Sequence, residues 1–238
     1  MTTKTVREFA VQLPGATRIF EKLGIDYCCG GEKALPDACA EAGVSEEKVL
    51  ALLDEALRAE EAFTPGRNWN TEPLSALTAH IVAKHHGYLR EELPRLGALI
   101  AKVCCAHGKN HPELLAVQAI FQDLEQELSG HMLKEEQILF PYVEQLEKVV
   151  KQGEPIPAPF FGTVRNPIRM MMQEHDDAGA ALRGLREQSA GYTVPADGCT
   201  SYETLYRALE TLERDLHQHI HLENNILFPR AAELEARA

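Results

Sequence analysis

Aromatic side chains are scarce in this 238-residue chain: Phe, Tyr and Trp together make up 6%, with a single Trp. Ala, Leu and Glu dominate instead, a balance that favours helix packing over sheet. Also missing is any apolar run near the roughly 20 residues that a membrane span requires. The start of the chain, MTTKTVREFAVQLPG, has neither the apolar stretch nor the small-residue cleavage site of a signal peptide. Basic residues are outnumbered, 24 against 36 acidic, for a formal charge of −12. Such a surface repels nucleic acid and anionic membrane, so neither is an expected partner. The six cysteines, at 28, 29, 39, 104, 105 and 199, do not form a disulfide framework. Two pairs are adjacent, and neighbouring cysteines close too small a ring for an unstrained bond. They read as thiols in a reducing compartment, and the expected location is cytoplasmic.

Hydrophobic residues make up 45% of the chain, enough for a normal core. The first part reads as short helices divided by Gly and Pro. One runs from Pro14-Gly15 to Leu23 and ends at Gly24. The turn Asp26-Tyr27-Cys28-Cys29-Gly30-Gly31 follows, then a helix over 35–42 stopped by Gly43. A further helix, capped by Ser45, runs to about Glu61. This gives a small helical domain over 1–62 and a polar linker over 63–72. Apolar residues then recur every three or four positions, as in Leu114, Val117, Phe121, Leu124 and Leu128. Four long helices are expected, over 73–105, 112–149, 166–189 and 201–236, forming an all-α four-helix bundle across 73–238. The proline-rich connector 153–159 is read as a crossover loop. Pro94, Pro141 and Pro229 are expected to kink or end their helices.

The most informative feature is a repeat. His131-Met132-Leu133-Lys134-Glu135 is followed by Glu136-Gln137 and Ile138-Leu139-Phe140-Pro141. His219-Ile220-His221-Leu222-Glu223 is followed by Asn224-Asn225 and Ile226-Leu227-Phe228-Pro229. Both copies read H-x-x-x-E-x-x-I-L-F-P, and they lie 88 positions apart (131 to 219). Each has a histidine one helix upstream, 45 positions before it at His86 and 44 before it at His175. Residues four apart share a helix face, so the His and Glu of one copy can point at one ion. One H-x-x-x-E on a helix is usually a solvated face or a satisfied core histidine. Two copies with the same downstream residues and a matched upstream histidine point to a pair of metal ions held by His86, His131, Glu135, His175, His219 and Glu223. If both glutamates bridge, each ion receives two imidazole nitrogens and two carboxylate oxygens. A bridging oxide or hydroxide makes five, which leaves one open position. This donor set suits iron or manganese and does not exclude zinc.

These residues resemble the hemerythrin-like di-iron proteins, and more closely the iron-centre repair (RIC) family. The markers are Asp26-Tyr27-Cys28-Cys29-Gly30-Gly31 and the doubled H-x-x-x-E-x-x-I-L-F-P, and the likeness covers nearly the whole chain. The resemblance implies a hemerythrin-like bundle behind the small N-terminal domain. It also implies two non-haem irons, oxo- or hydroxo-bridged, and a role in restoring iron–sulfur clusters damaged by nitric oxide or oxidants. The implied ligand set falls on the same six residues, with His86 preferred to its neighbour His85, and is one histidine short of the oxygen carriers. That shortfall implies more accessible or more labile irons.

The resemblance also favours Cys28 and Cys29 as a redox or iron-transfer pair that the following glycines present at the surface. Glu127 and Glu174 are candidates for holding an imidazole N–H or forming a polar path for iron, against the plain alternative of solvated carboxylates. His217 and His221 are expected to be solvated, Met170 to Met172 to pack in the core, and Cys39 and Cys199 to be structural. Cys104 and Cys105, followed by His107 and His111, offer a second soft-metal or redox site, although the spacing matches no standard zinc signature. Three activities remain open on the residues alone. The protein donates iron to damaged iron–sulfur proteins, or binds nitric oxide or dioxygen, or is an enzyme that reduces nitric oxide. A homodimer is compatible with each.

Overall fold

Thr5 and Glu8 set the first helix, each side chain accepting from the other's backbone N–H at 3.2 and 2.7 Å. In this computed structural model the described residues are 4–13, 15–61, 68–156 and 158–237. Pro14, Ala62 at the end of the expected small domain, positions 63–67 of the expected linker and Pro157 of the connector lie outside them. The first four helices are α1 (Val6–Gln12), α2 (Ala16–Leu23), α3 (Leu35–Glu41) and α4 (Glu46–Glu61). Gly24 at φ +69° ends α2, a conformation that only glycine adopts without strain. The Ser45 hydroxyl caps α4 by accepting from Lys48 N–H at 3.2 Å. Val6, Phe20, Tyr27, Leu35, Val49 and Leu53 close a small core among these helices. Among the described residues there is no strand, only an isolated bridge between Thr5 and Ala34.

The four long periodic segments are helical, and three of them carry a wider turn that the sequence did not announce. The first is α5 (Leu74–Ile81), a π turn Val82–His86, then α6 (Gly87–His107). The second is α7 (Glu113–Lys134), a π turn Glu135–Leu139, then α8 (Phe140–Gln152). The third is α9 (Arg165–Gln188), without interruption. The fourth is α10 (Thr200–His221), a π turn Leu222–Leu227, then α11 (Phe228–Ala236). Of the two outcomes expected at the prolines, a kink or an end, the segments show no end. Pro94 lies within α6, and Pro141 and Pro229 occupy the second position after a π turn. Proline has no N–H to give to the carbonyl four residues back. At Pro229 that carbonyl belongs to Asn225, and Arg7 Nη2 donates to it at 3.3 Å.

Contacts divide the chain into two compact units. One comprises 78–145 and 157–216. Here α6, α7, α9 and α10 bury Leu93, Leu96, Phe121, Leu182, Tyr206 and Leu212 in one core, and a two-pronged Arg186–Glu213 pair at 3.0 and 2.7 Å ties α9 to α10. The other unit comprises 1–77, 146–156 and 217–238. In it the N-terminal helices meet the start of the last π turn. Gln218 donates to the Tyr27 hydroxyl at 2.8 Å, and Asn225 Nδ2 to the Tyr27 carbonyl at 3.0 Å. Gly31 lies so close that an added Cβ would stand 3.1 Å from Asn225 Oδ1. No helix among the described residues is long and apolar enough to cross a membrane.

Candidate metal centre

Each π turn falls at an expected ligand. His86 closes the first, Glu135 opens the second and Glu223 is the second residue of the third. A π turn inserts a residue into the helical ladder and rotates the turns beyond it, which explains its frequent presence at functional sites. All six side chains are buried, His86, Glu135 and Glu223 completely. One Glu135 oxygen, Oε2, lies 3.3 Å from His86 Nε2 and 3.3 Å from His131 Nε2. His131 and His175 face each other Nε2 to Nε2 at 3.1 Å. His219 Nε2 stands 3.0 Å from Glu223 Oε1 one turn ahead.

The ligand atoms fall into two groups, each with all its atoms within 4.8 Å of one another. One group is His86, Glu135, His219 and Glu223; the other is His131, Glu135, His175 and Glu223. Two imidazoles and two carboxylates per group are a donor set for a transition-metal ion of iron type, so the residues fit the centre their spacing implied.

Two of the four imidazoles have a carboxylate behind them, which fixes which ring nitrogen faces the other ligand atoms. His131 Nδ1 meets Glu174 Oε2 at 2.8 Å, and His86 Nδ1 meets Glu136 Oε1 at 2.6 Å. Each carboxylate also takes a surface cation, Lys134 at Glu174 and Arg90 at Glu136. The bond to His131, opposed by burial and aided by Lys134, holds the Glu174 carboxyl down at about 2. Burial alone would raise the Glu136 carboxyl, but His86 and Arg90 outweigh it and the net shift is downward. Glu136 was missed in the sequence because it stands inside the motif, where it reads as the solvated neighbour of Glu135. Glu127 is exposed on α7. His85 points elsewhere, with Nδ1 3.0 Å from Asp215.

Other side chains depart from the sequence reading. His221 is buried rather than solvated, accepting from Asn225 Nδ2 at 2.9 Å with its ring 5.6 Å from that of Tyr27. Burial drives its pKa down to about 4. His217 pairs with Glu21 at 3.0 Å and is half-buried. Both face the N-terminal part of the chain, His217 at Glu21 and His221 at Tyr27. Of the three methionines only Met171 is buried, since successive helix positions 100° apart cannot all face one core. Cys39 is buried, but Cys199 is exposed.

Cys28 and Cys29 do not share the surface either. Asp26 Oδ1 accepts from both backbone N–H groups, at 3.1 and 3.0 Å, and from the Cys28 thiol at 3.4 Å. This turn buries Cys28 and leaves Cys29 half-exposed, with the sulfurs 4.0 Å apart. The bond to Cys29, then burial, pushes the Cys28 thiol well above its ordinary pKa. Asp26, Cys28 and Cys29 still bring three ligand atoms within 4.8 Å of one another.

Comparison with known proteins agrees with this geometry. Residues 77–231 match the hemerythrin HHE cation binding domain, and residues 2–57 match a domain described only as of unknown function. The iron-sulfur cluster repair protein YtfE of Citrobacter koseri is 37% identical over 224 residues, 94% of each chain. A probable iron-sulfur cluster repair protein of Haemophilus influenzae is 36% identical over 223 residues, again 94% of each. The corresponding protein of Escherichia coli O157:H7 is 36% identical with the same coverage. A chain that shares both domains and nearly its full length with these proteins belongs to their family, that of the hemerythrin HHE iron-sulfur cluster repair proteins.

Proposed function

We propose that the six residues hold two non-haem irons in an oxo- or hydroxo-bridged pair, and that the protein restores damaged iron–sulfur clusters by supplying iron to them. The observation that carries the reading is the sharing pattern of the ligand groups. Glu135 and Glu223 each belong to both groups, whereas each histidine belongs to one. Bridging carboxylates with terminal imidazoles would have that pattern. His86 and His219 would serve one ion, His131 and His175 the other. Such a pair supplies exchangeable iron and open coordination positions.

Around the ligands, Glu136 and Glu174 orient His86 and His131 and link each buried imidazole to a surface cation. Glu174 is thus the nearer of the two sequence candidates to an exit path for iron. Cys29, half-exposed beside the buried Cys28, would be the thiol that meets an acceptor. The names of the relatives support a cluster-repair role. The acceptors would be iron–sulfur proteins that have lost iron.

Metal analysis and Mössbauer spectra of anaerobically prepared protein test the centre. Two coupled irons per chain are expected, and their absence from the His131→Ala, Glu135→Ala double variant. Transfer is tested by loading the protein with ⁵⁷Fe, reducing it and adding an iron–sulfur acceptor stripped of iron. Label appearing in a rebuilt cluster supports donation. Label retained while nitric oxide is consumed over many turnovers, with nitrous oxide released, replaces donation with reduction. A stoichiometric adduct with no transfer replaces it with gas binding.

A further inference from the structure

The di-iron reading leaves unused two hydrogen-bonded pairs where the end of α6 meets the start of α10. His107 Nε2 lies 3.1 Å from Cys199 Sγ, and His111 Nε2 lies 2.9 Å from Asp197 Oδ1. The sequence had set His107 and His111 beside Cys104 and Cys105. Instead the half-buried Cys104 thiol turns to the Leu114 carbonyl at 3.4 Å, and the sulfur that meets His107 comes from a position 92 residues later. That sulfur is exposed.

We propose that Cys199, with His107 as its base, is a reactive thiol that takes a reversible mixed disulfide from a small, soluble disulfide. The Cys199 sulfur attacks one sulfur of that disulfide. A new S–S bond forms, the old one breaks, and the other half leaves as a thiolate. The proton that His107 took from Cys199 goes to the leaving thiolate. The disulfide is itself the oxidant: Cys199 is oxidised, and one small thiol is released.

The geometry prepares the thiolate from two sides. Cys199 directly precedes α10, and its carbonyl accepts from Glu203 N–H at 3.0 Å. Its sulfur is thereby set against the Tyr202 and Ser201 N–H groups of the first turn, which favour an anion there. From the other side comes the His107 imidazole, the second usual means of making a cysteine nucleophilic. The His107 ring packs on the fully buried Tyr202, with centroids 5.3 Å apart, so the core positions the base.

Two carboxylates stand beside this pair, and His111 binds both. Its Nε2 meets Asp197, and its Nδ1 meets Glu113 Oε1 at 3.0 Å. Asp197 first, opposed by desolvation and aided by Glu113, raises the His111 pKa, which favours a cation against their charge. The Tyr202 N–H and then His107, opposed by desolvation, hold the Cys199 thiol down at about 7. In disulfide exchange a thiol titrating near the ambient pH attacks best. A higher pKa leaves too little thiolate, and a lower one leaves a weaker nucleophile.

Peptide mass spectrometry of the full-length, iron-loaded protein follows each cysteine separately. Alkylation of Cys199 by iodoacetamide should reach half its maximal rate at about pH 7. His107→Ala should move that midpoint up by about one unit, toward the roughly 8.5 of a free thiol. His111→Ala should move it by less. With glutathione disulfide as the probe, Cys199 should be labelled several-fold faster at pH 6 than Cys105, which is also exposed, and dithiothreitol should remove the label. At pH 7 the exchange should slow by about three-fold in His107→Ala, because the stronger nucleophile offsets part of the lost thiolate. A wild-type midpoint at about 8.5 or above, or equal labelling of Cys199 and Cys105, overturns the proposal, and neither readout depends on a variant that must fold. An unmoved midpoint in folded His107→Ala, or as large a shift in His111→Ala, overturns the assignment of His107 as the base.

Discussion

In both copies of the repeated motif the helix widens at the glutamate and resumes as an α-helix at Phe-Pro, yet the residues in between face different neighbours. In the first copy Glu136 turns to His86 and Arg90, and Lys134 pairs with the Glu174 that holds His131. In the second copy His221 and Asn225 turn to Tyr27, Gly31 and Arg7 of the N-terminal helices. The His and Glu of the motif repeat, and the residues between and just after them differ. One copy has an ionic support that reaches solvent, and the other a packed support that excludes it. The first carries charge between a buried imidazole and the surface. The second places Cys28 and Cys29 in the same turn that binds Gln218 and Asn225, beside His219 and Glu223 in sequence.

The largest effect should come where the copies are alike. Glu135→Ala and Glu223→Ala should each abolish binding of both irons, because each removes an oxygen from both ligand groups. His86→Ala and His175→Ala should each weaken one iron first. Iron per chain, with Mössbauer spectra to separate coupled pairs from single ions, checks this. Two coupled irons in Glu223→Ala would break the equivalence of the copies and leave Glu135 as the sole bridge.

The next effect should separate the copies. Glu136→Gln and Glu174→Gln, on the ionic side, should weaken iron binding by roughly 10- to 100-fold, the usual range for a partner that orients a ligand. Competition with a coloured chelator measures this. Urea unfolding of the same iron-free variants should move little, because both carboxylates are partly solvated.

On the packed side the ranking should reverse. Asn225→Leu leaves the buried Tyr27 carbonyl without its amide donor, which should destabilise the iron-free protein by about 1–3 kcal/mol. Gly31→Ala forces a contact 3.1 Å from Asn225 Oδ1 and should destabilise by a similar, roughly 1–3 kcal/mol. Iron affinity in both should stay within a few-fold of wild type. A loss of iron as large as that of Glu174→Gln would show that the N-terminal helices support the ligands as well as cover them.

Much of this was legible in the sequence because helical periodicity and a duplication are local signals. The four long segments, the Gly24 terminus and the Ser45 cap could be read directly, since each depends on residues a few positions apart. The six buried His and Glu side chains could be singled out because the repeat compares the chain with itself. The π turns were not legible: a one-residue widening leaves the apolar pattern almost unchanged, and Pro141 and Pro229 looked like helix breakers. Pairings such as Cys199 with His107 or His221 with Tyr27 were hidden for another reason. They join residues about 90 and 200 positions apart, and nothing in either stretch names its partner.

The smallest effect gives the comparison a baseline, because it concerns a carboxylate outside both copies. Glu147 on α8 caps the start of α5, accepting from Leu74 and Ser75 N–H at 2.9 and 3.2 Å and from the Ser75 hydroxyl at 2.7 Å. Burial would raise its pKa, but the Ser75 hydroxyl and the two N–H groups outweigh it, so the net shift is downward. A carboxyl lowered in the folded state adds stability above its unfolded pKa, about 4.3. That contribution is lost as pH falls from there through the folded value. Glu147→Gln should therefore destabilise the iron-free protein by about 1 kcal/mol at neutral pH. The gap should stay flat down to about pH 5 and close below about pH 4. Urea titrations of the iron-free forms across that range measure it without interference from metal loss. A gap independent of pH would mean that the amide caps α5 as well as the carboxylate does. Glu147 would then act as a hydrogen-bond acceptor alone, unlike Glu136 and Glu174, whose carboxylates meet both a buried imidazole and a surface cation.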